Sequence, residues 1–431
     1  MLTKLDAQKL DAADTLKDFR KQFHIPQHHG KDVIYFCGNS LGLQPISAKD
    51  AVIAELDAWA TLGVEGHFTG ENAWLGYHKL LTPMAAKIVG AKQHEVVIMN
   101  TLTVNLHLMM VSFYQPTKTR YKILMEGGAF PSDQYAAESQ VKFHGFLPED
   151  AIVEIFPRAN EFRLRTEDIV AKIEELGESL ALVLFGGVNY YTGQVFDMQT
   201  ITKTGHKVGA KVGFDLAHAA GNVLIKLHDW QVDFAVWCSY KYLNSGAGGT
   251  SGVFIHENYA DDNTLNRFAG WWGYDEKTRF LMQKGFKPSF GAEGWQLSNA
   301  QILPMAVHKA SLEIFEQAGM ENLRAKSEKL TGFATDLIAQ YNQENNQKNN
   351  YRDNSKQNYP KITIITPQNI AERGCQLSLI ISENGKHIFN QLTSKGVIAD
   401  WREPNVIRIT PVPLYNSFED VWNFYEVLRE V

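Results

Sequence analysis

The stretch Asp233-Phe234-Ala235-Val236-Trp237-Cys238-Ser239-Tyr240-Lys241-Tyr242-Leu243-Asn244, followed by Ser245-Gly246-Ala247-Gly248-Gly249, decides how this chain is read. The apolar run at 234–238 is short and has an aromatic near each end, which predicts a buried strand. A single lysine follows it, between two tyrosines and ahead of a glycine-rich loop. Lysine beside a buried strand is uncommon without a partner. Once partly desolvated it becomes an amine nucleophile. Taken alone, an exposed lysine that solvates a loop is the commoner explanation of such a pattern, so the neighbouring elements have to decide.

Working outward, strands and helices alternate from about residue 80. Strands are predicted at 95–99, 122–125, 151–156, 180–185, 211–214, 234–238 and 252–256, and helices at 77–89, 104–113, 132–143, 166–176 and 198–208. The run at 180–185 is wholly apolar, as suits a parallel sheet covered on both faces. This predicts an α/β fold, a large doubly wound and mostly parallel sheet domain. After Ser298-Asn299 the pattern changes. A long helix with Pro304 in its first turn and Gly319 as its stop leads into helix 320–340. Strands at 361–366, 376–382, 397–400 and 406–410 and helices at 386–395 and 417–428 follow, an α+β arrangement. Upstream lie a surface helix at 3–23, a strand at 33–36, a Gly38–Gly42 turn with two glycines free to take positive φ, and a helix to Leu62 begun by a Ser47/Asp50 capping box. The expected division is an N-terminal segment 1–62 associated with the small domain, a large domain 63–300 and a small C-terminal domain 301–431.

The 431 residues are 44% hydrophobic and 21% charged, with a formal net charge of −6. No basic run points to nucleic acid. No stretch of about 18 apolar residues and no apolar N-terminal core points to a membrane or to export. Cys37, Cys238 and Cys375 are scattered, which suits a reducing cytoplasm and neither a disulfide framework nor a metal site. Residues 342–359 are rich in Asn, Gln and Lys and are read as a mobile surface loop.

Ligands of open α/β sheets sit at the carboxyl ends of the strands. There the sequence places Thr101 and Thr103 at a helix start; Phe130, Ser132 and Asp133; Asn189, Tyr190, Tyr191 and Thr192; Asp215 and His218; and then Lys241. Singly, each has an ordinary structural explanation: a helix cap, a core aromatic, a paired acid. Together they match pyridoxal 5′-phosphate. That cofactor needs an amine for its aldehyde, a carboxylate for its ring nitrogen, a surface against the ring and a helix N-terminus for its phosphate. The 26-residue interval from Asp215 to Lys241 fits two successive strands with a connection. The glycine fingerprints of nicotinamide and P-loop nucleotide sites are missing.

The blocks Gly213-Phe214-Asp215-Leu216-Ala217-His218 and Ser239-Tyr240-Lys241-Tyr242-Leu243-Asn244 resemble the kynureninase family, fold-type-I pyridoxal-phosphate enzymes of the aminotransferase class V group. So do Phe36-Cys37-Gly38-Asn39-Ser40-Leu41-Gly42, Leu102-Thr103-Val104-Asn105, Phe130-Pro131-Ser132-Asp133, Tyr191-Thr192-Gly193-Gln194 and Pro411-Val412-Pro413-Leu414-Tyr415-Asn416. The resemblance covers nearly the whole chain. It implies a cytoplasmic homodimeric hydrolase of L-kynurenine or 3-hydroxy-L-kynurenine, serving tryptophan catabolism or pyridine nucleotide biosynthesis. Lys241 would hold the cofactor and move the Cα proton, Asp215 would hold the ring nitrogen, and Phe130 would stack on the ring. Leu102, Thr103, Tyr191 and Tyr240 would surround the phosphate, with Ser132, Asp133, His218 and Asn299 also at the cofactor. Tyr240 is also the candidate for later proton transfers. Trp271 would reach the phosphate of the other subunit. Arg408, with Ser40, would take the substrate α-carboxylate, and His67 and Asn299 the aromatic end. The His67/Asn299 pair resembles members that favour the 3-hydroxylated substrate. One departure is Gly186, where many members carry serine. A class V desulfurase or lyase, a Rossmann oxidoreductase and a non-catalytic binding protein remain the alternatives.

Overall fold

The computed structural model describes residues 1–350 and 359–431. The opening strand forms over Phe234–Trp237 and is buried along its whole length. It lies inside a seven-stranded sheet. In space the strands run Val96–Ile98, Gly252–Ile255, Phe234–Trp237, Lys211–Asp215, Leu180–Gly186, Lys122–Glu126, Ile152–Ile155. The last five are mutually parallel, while Gly252–Ile255 runs antiparallel to both its neighbours. Successive side chains of each strand point to opposite faces. Accordingly Val183, Phe185, Val212 and Phe214 join one apolar cluster, and Leu182, Leu184, Phe234 and Val236 another. A sheet buried on both faces explains the unbroken apolar runs. Its register brings Gly186 opposite Asp215, and Asp215 opposite Val236, so the carboxyl ends of these strands open onto one edge.

Helix Ile302–Ala318 contributes Met305, Leu312 and Phe315 to the core of the large sheet. A four-stranded antiparallel sheet follows, in the order Ile362–Ile364, Leu377–Ile381, Val406–Ile409, Asp400–Arg402. Its core takes in Ala7 and Phe36 from the N-terminal segment, and Ile34–Tyr35 pairs in parallel with Val397–Ile398.

Several local expectations are corrected. The segment 3–23 is not one helix: Lys4–Ala13 ends at Asp14, whose Oδ1 accepts the Leu16 N–H at 2.9 Å, and a 3₁₀ turn Lys17–Gln22 follows. Ser47 is already helical and makes no capping bond, because the preceding turn starts at Pro45. Gly38 and Gly42 are glycine for closeness and do not take positive φ. A Cβ on Gly42 would lie 2.3 Å from the Lys241 carbonyl oxygen, where the Gly42 N–H donates to Tyr240 O at 2.9 Å. The strand expected at 397–400 is two short strands serving different sheets. Most clearly, helix Met320–Asn350 runs on through much of the segment read as a loop. Asn342, Asn345 and Asn349 lie three to four residues apart and so on one helical face. Their amides donate to the carbonyls of Ile362, Pro360 and Tyr359 at 2.8, 3.0 and 3.2 Å. Polar residues here bind the returning chain and do not simply face solvent. The remainder of the expected loop, residues 351–358, lies outside the described residues.

Candidate active site

A cleft opens at the strand ends. Lys241 enters it from the turn after Phe234–Trp237, and His218 from the turn after Lys211–Asp215. Lys241 Nζ lies 3.1 Å from His218 Nε2 and 5.7 Å from the centre of the Phe130 ring. Burial, and then the charge of Lys241, hold His218 well below the usual imidazole range, so it is neutral and accepts at Nε2.

Asp215 and Asp133 form the floor. Both are more than nine-tenths buried. Burial is the main reason both carboxyls are raised; the Asp215 charge adds to the shift of Asp133, whereas the Ala217 N–H and Lys241 partly offset that of Asp215. The Ala217 N–H donates to Asp215 Oδ1 at 2.7 Å. Asp133 Oδ1 is buried and has no donor. Such an orphan acceptor beside a second carboxyl is what a protonated ring nitrogen would satisfy. Thr101, Leu102 and Thr103, at the N-terminus of helix Leu102–Phe113, line the same cleft, and Thr101, its N-cap residue, makes no side-chain capping bond. First-turn N–H groups and hydroxyls left open in this way suit a phosphate. Phe130 stands edge-on to Tyr190, with ring centres 5.2 Å apart, and is 41% exposed, leaving its face free to stack. The donor set therefore fits pyridoxal 5′-phosphate at each of its four contact points.

The structure brings Leu102, Thr103, Phe130, Ser132, Asp133, Asp215, His218, Tyr240 and Lys241 to this one cleft. Tyr191 stands just outside it; its neighbour Tyr190 lines the wall instead. Arg408 and Ser40 meet on the small-domain side. The Arg408 guanidinium donates to Tyr190 O at 2.5 Å and through Nη2 to Asp400 Oδ2, with Ser40 Oγ 3.4 Å away. His67, Trp271 and Asn299 do not line the cleft of the single chain. His67 Nδ1 lies 3.0 Å from Val64 O, and Trp271 packs edge-on against Phe280 at the surface.

Two acids were missed in the sequence. Asp400 pairs with Arg408 from the adjacent strand. Glu126 ends its strand buried in the cleft wall, its carboxyl pushed up to about 7 chiefly by burial. Its signal was the one that exposed Asp215, an acid at the carboxyl end of a buried strand.

Comparison with known proteins places the chain among close relatives. Residues 323–428 match the kynureninase C-terminal domain. The chain is 55% identical to a kynureninase of Flavobacterium psychrophilum, covering 98% of this chain and 97% of the relative. It is 49% identical to a kynureninase of Nematostella vectensis, covering 98% and 92%. Among solved structures, an apo cysteine desulfurase from Thermococcus onnurineus superposes with a TM-score of 0.74 over 96% of this chain and 97% of the other, at 18% identity. At that identity the likeness speaks for the fold alone.

Proposed function

The chain belongs to the kynureninase family, and from that premise and the cleft we infer a hydrolysis of L-kynurenine to anthranilate and L-alanine, with pyridoxal 5′-phosphate as cofactor. The observation that carries the site assignment is that Lys241, the buried Asp133 and Asp215, and the N-terminal residues of helix Leu102–Phe113 line one cleft. When bound, the cofactor supplies an electron sink for negative charge formed next to the substrate Cα. Lys241 would give the amine that holds the cofactor and would take the proton from Cα. Asp215, with Asp133 beside it, would keep a proton on the ring nitrogen. Phe130 would stack against the ring, and the first turn of Leu102–Phe113, with Thr101 and Thr103, would bind the phosphate. Ser132 and Tyr191 stand at the edge of this arrangement. Neutral His218 steadies the Lys241 amine. Arg408, with Ser40, binds the α-carboxylate. Water adds to the γ-carbonyl, the Cβ–Cγ bond breaks with anthranilate leaving, and a proton reaches Cβ to complete alanine. Tyr240, which lines the cleft and whose hydroxyl burial holds protonated, carries that proton.

The finer parts of the reading are these. The functional unit is a homodimer with shared sites. Trp59, Val64, Phe68, Trp271, Phe280 and Leu281 are exposed, with the Phe68 and Phe280 rings 6.4 Å apart, an apolar surface that a second copy would cover. His67, Trp271 and Asn299 would enter the partner's cleft from it, and the first and last of these favour the 3-hydroxylated ring. The proposed division of the chain is at 62/63 and 300/301, with helix Ile302–Ala318 packed back onto the core of the large sheet, and three unpaired cysteines support a cytoplasmic location. Among the described residues, no helix is long and apolar enough to cross a membrane. A desulfurase chemistry is opposed by the thiols: burial pushes Cys37 and Cys238 up to about 11 and Cys375 up to about 12.

The test is optical. The purified protein is expected to absorb in the visible, to lose that band on borohydride reduction or in Lys241→Ala, and to release anthranilate fluorescence from L-kynurenine. A colourless protein indifferent to added cofactor defeats the reading.

A further inference from the structure

Glu126 is a buried acid that the reaction above does not use. It is 4% exposed, and its two oxygens are divided between two neighbours. Oε1 accepts the Gly186 N–H at 3.3 Å, and Oε2 accepts Asn189 Nδ2 at 2.9 Å. Gly186 leaves room for this, since a Cβ there would lie 2.9 Å from Glu126 Oε1. Asn189 spends its other end on its own turn. Its Oδ1 accepts from the Tyr191 N–H at 3.0 Å, the Thr192 N–H at 2.8 Å and Thr192 Oγ1 at 3.0 Å. The turn so fixed carries the Tyr190 carbonyl, which accepts from Arg408 Nη1 at 2.5 Å. Arg408 is 1% exposed and keeps an unpartnered Nε. Side chains joined in one hydrogen-bond network act as a unit, and each link transmits displacement to the next.

We propose that Glu126 is a positioning residue: through Asn189 it fixes the 189–192 turn, and the turn's Tyr190 carbonyl sets where the Arg408 guanidinium meets the substrate α-carboxylate. The inference rests on the kynureninase reading for the identity of that carboxylate. A carboxylate at 126 is required because both neighbours are donors. Glutamine offers one acceptor and one donor, and Asn189 cannot turn its amide without abandoning Tyr191 and Thr192.

The experiment compares wild type, Glu126→Ala, Glu126→Gln and Asn189→Ala as cofactor-loaded enzymes. In Glu126→Ala and Asn189→Ala, KM for L-kynurenine is expected to rise about tenfold with kcat held within about threefold, the pattern of lost carboxylate binding. Glu126→Gln is expected to fall between. Glu126→Ala combined with Asn189→Ala is expected to be no worse than the worse single variant, since both remove one chain of contacts. Two product ligands separate positioning from general loosening. Binding of L-alanine, which carries the α-carboxylate, is expected to weaken about tenfold, and binding of anthranilate to stay unchanged. Unchanged L-alanine affinity, or equal losses for both ligands, overturns the proposal. Wild type that fails to turn over L-kynurenine would instead sink the family's substrate for this chain, while the L-alanine arm would still judge Glu126. If Glu126→Ala does not fold, Asn189→Ala and Glu126→Gln carry the same comparison.

Discussion

At the scale of single residues, the site is a set of carboxyls in the wrong solvent. Glu126, Asp133 and Asp215 are all raised by burial, so the folded chain holds each proton more tightly than water does. For Glu126 the shift from 4.5 to about 7 has a definite consequence for the cofactor-free protein. Below the unfolded value both states are protonated and the group contributes nothing. As pH rises through that value the unfolded chain loses the proton and the folded one keeps it, so stability falls until the folded value is passed. Between about pH 5 and 7.5 the loss amounts to about 2 kcal/mol. In urea titrations of cofactor-free protein, Glu126→Gln is therefore expected to gain on wild type by that amount across the interval. A gap that stays constant with pH would show that Glu126 does not titrate there. The acids also show where sequence reading stops. Asp215 was legible because a lysine, a histidine and a hydroxyl helix start stood at neighbouring strand ends. Glu126 carried the same positional signal but sat ahead of two glycines, where an acid ordinarily faces water. Only the register of Lys122–Glu126 against Leu180–Gly186 turns it inward.

At the scale of elements, helices and strands of the large domain follow from periodicity, and they fall within a residue or two of expectation. The failures lie where a side chain far off in sequence decides. Helix Met320–Asn350 outlasts its apolar pattern because asparagines bind the incoming strand, a contact no local window contains. The end of Lys4–Ala13 is another case. Asp14 Oδ2 lies 2.7 Å from Lys326 Nζ, with both side chains 6% exposed, tying the N-terminal segment to the long helix. Burial lowers Lys326, and Asp14 partly restores it. Removing one partner of a buried pair leaves a lone charge and costs about 3–5 kcal/mol, whereas replacing both by apolar groups costs far less. Asp14→Ala is thus expected to lower the urea midpoint sharply, and Lys326→Met added to it to restore most of the loss. If the double variant is as unstable as the single, the pair is not what joins these elements.

At the scale of the whole molecule, one chain supplies a cleft lined by two buried carboxyls, a lysine and a helix N-terminus. His67, Trp271 and Asn299, which the family resemblance sends to the site, lie elsewhere on it. The family resemblance sends Trp271 to the other subunit's cleft, but nothing in the sequence says whose cleft His67 and Asn299 serve, because quaternary geometry leaves no local pattern. The proposed dimer supplies a direct test. In a two-fold dimer with shared sites, Lys241 and Trp271 of one chain serve different clefts. Lys241→Ala is expected to be inactive, and Trp271→Ala to lose cofactor affinity. Unfolded together and refolded as a mixture, half of the dimers are hybrids, each hybrid carrying one doubly defective and one intact cleft. The mixture should therefore recover about a quarter of wild-type turnover at limiting cofactor, where either variant alone gives little. Recovery depends on exchange, so variants mixed without unfolding should start near zero and rise only as fast as subunits exchange. If Trp271 served its own chain's cleft, each hybrid would hold one site without the lysine and one without the tryptophan, and no mixing would restore activity. The readout is anthranilate fluorescence against the mixing ratio, with its maximum at equal parts.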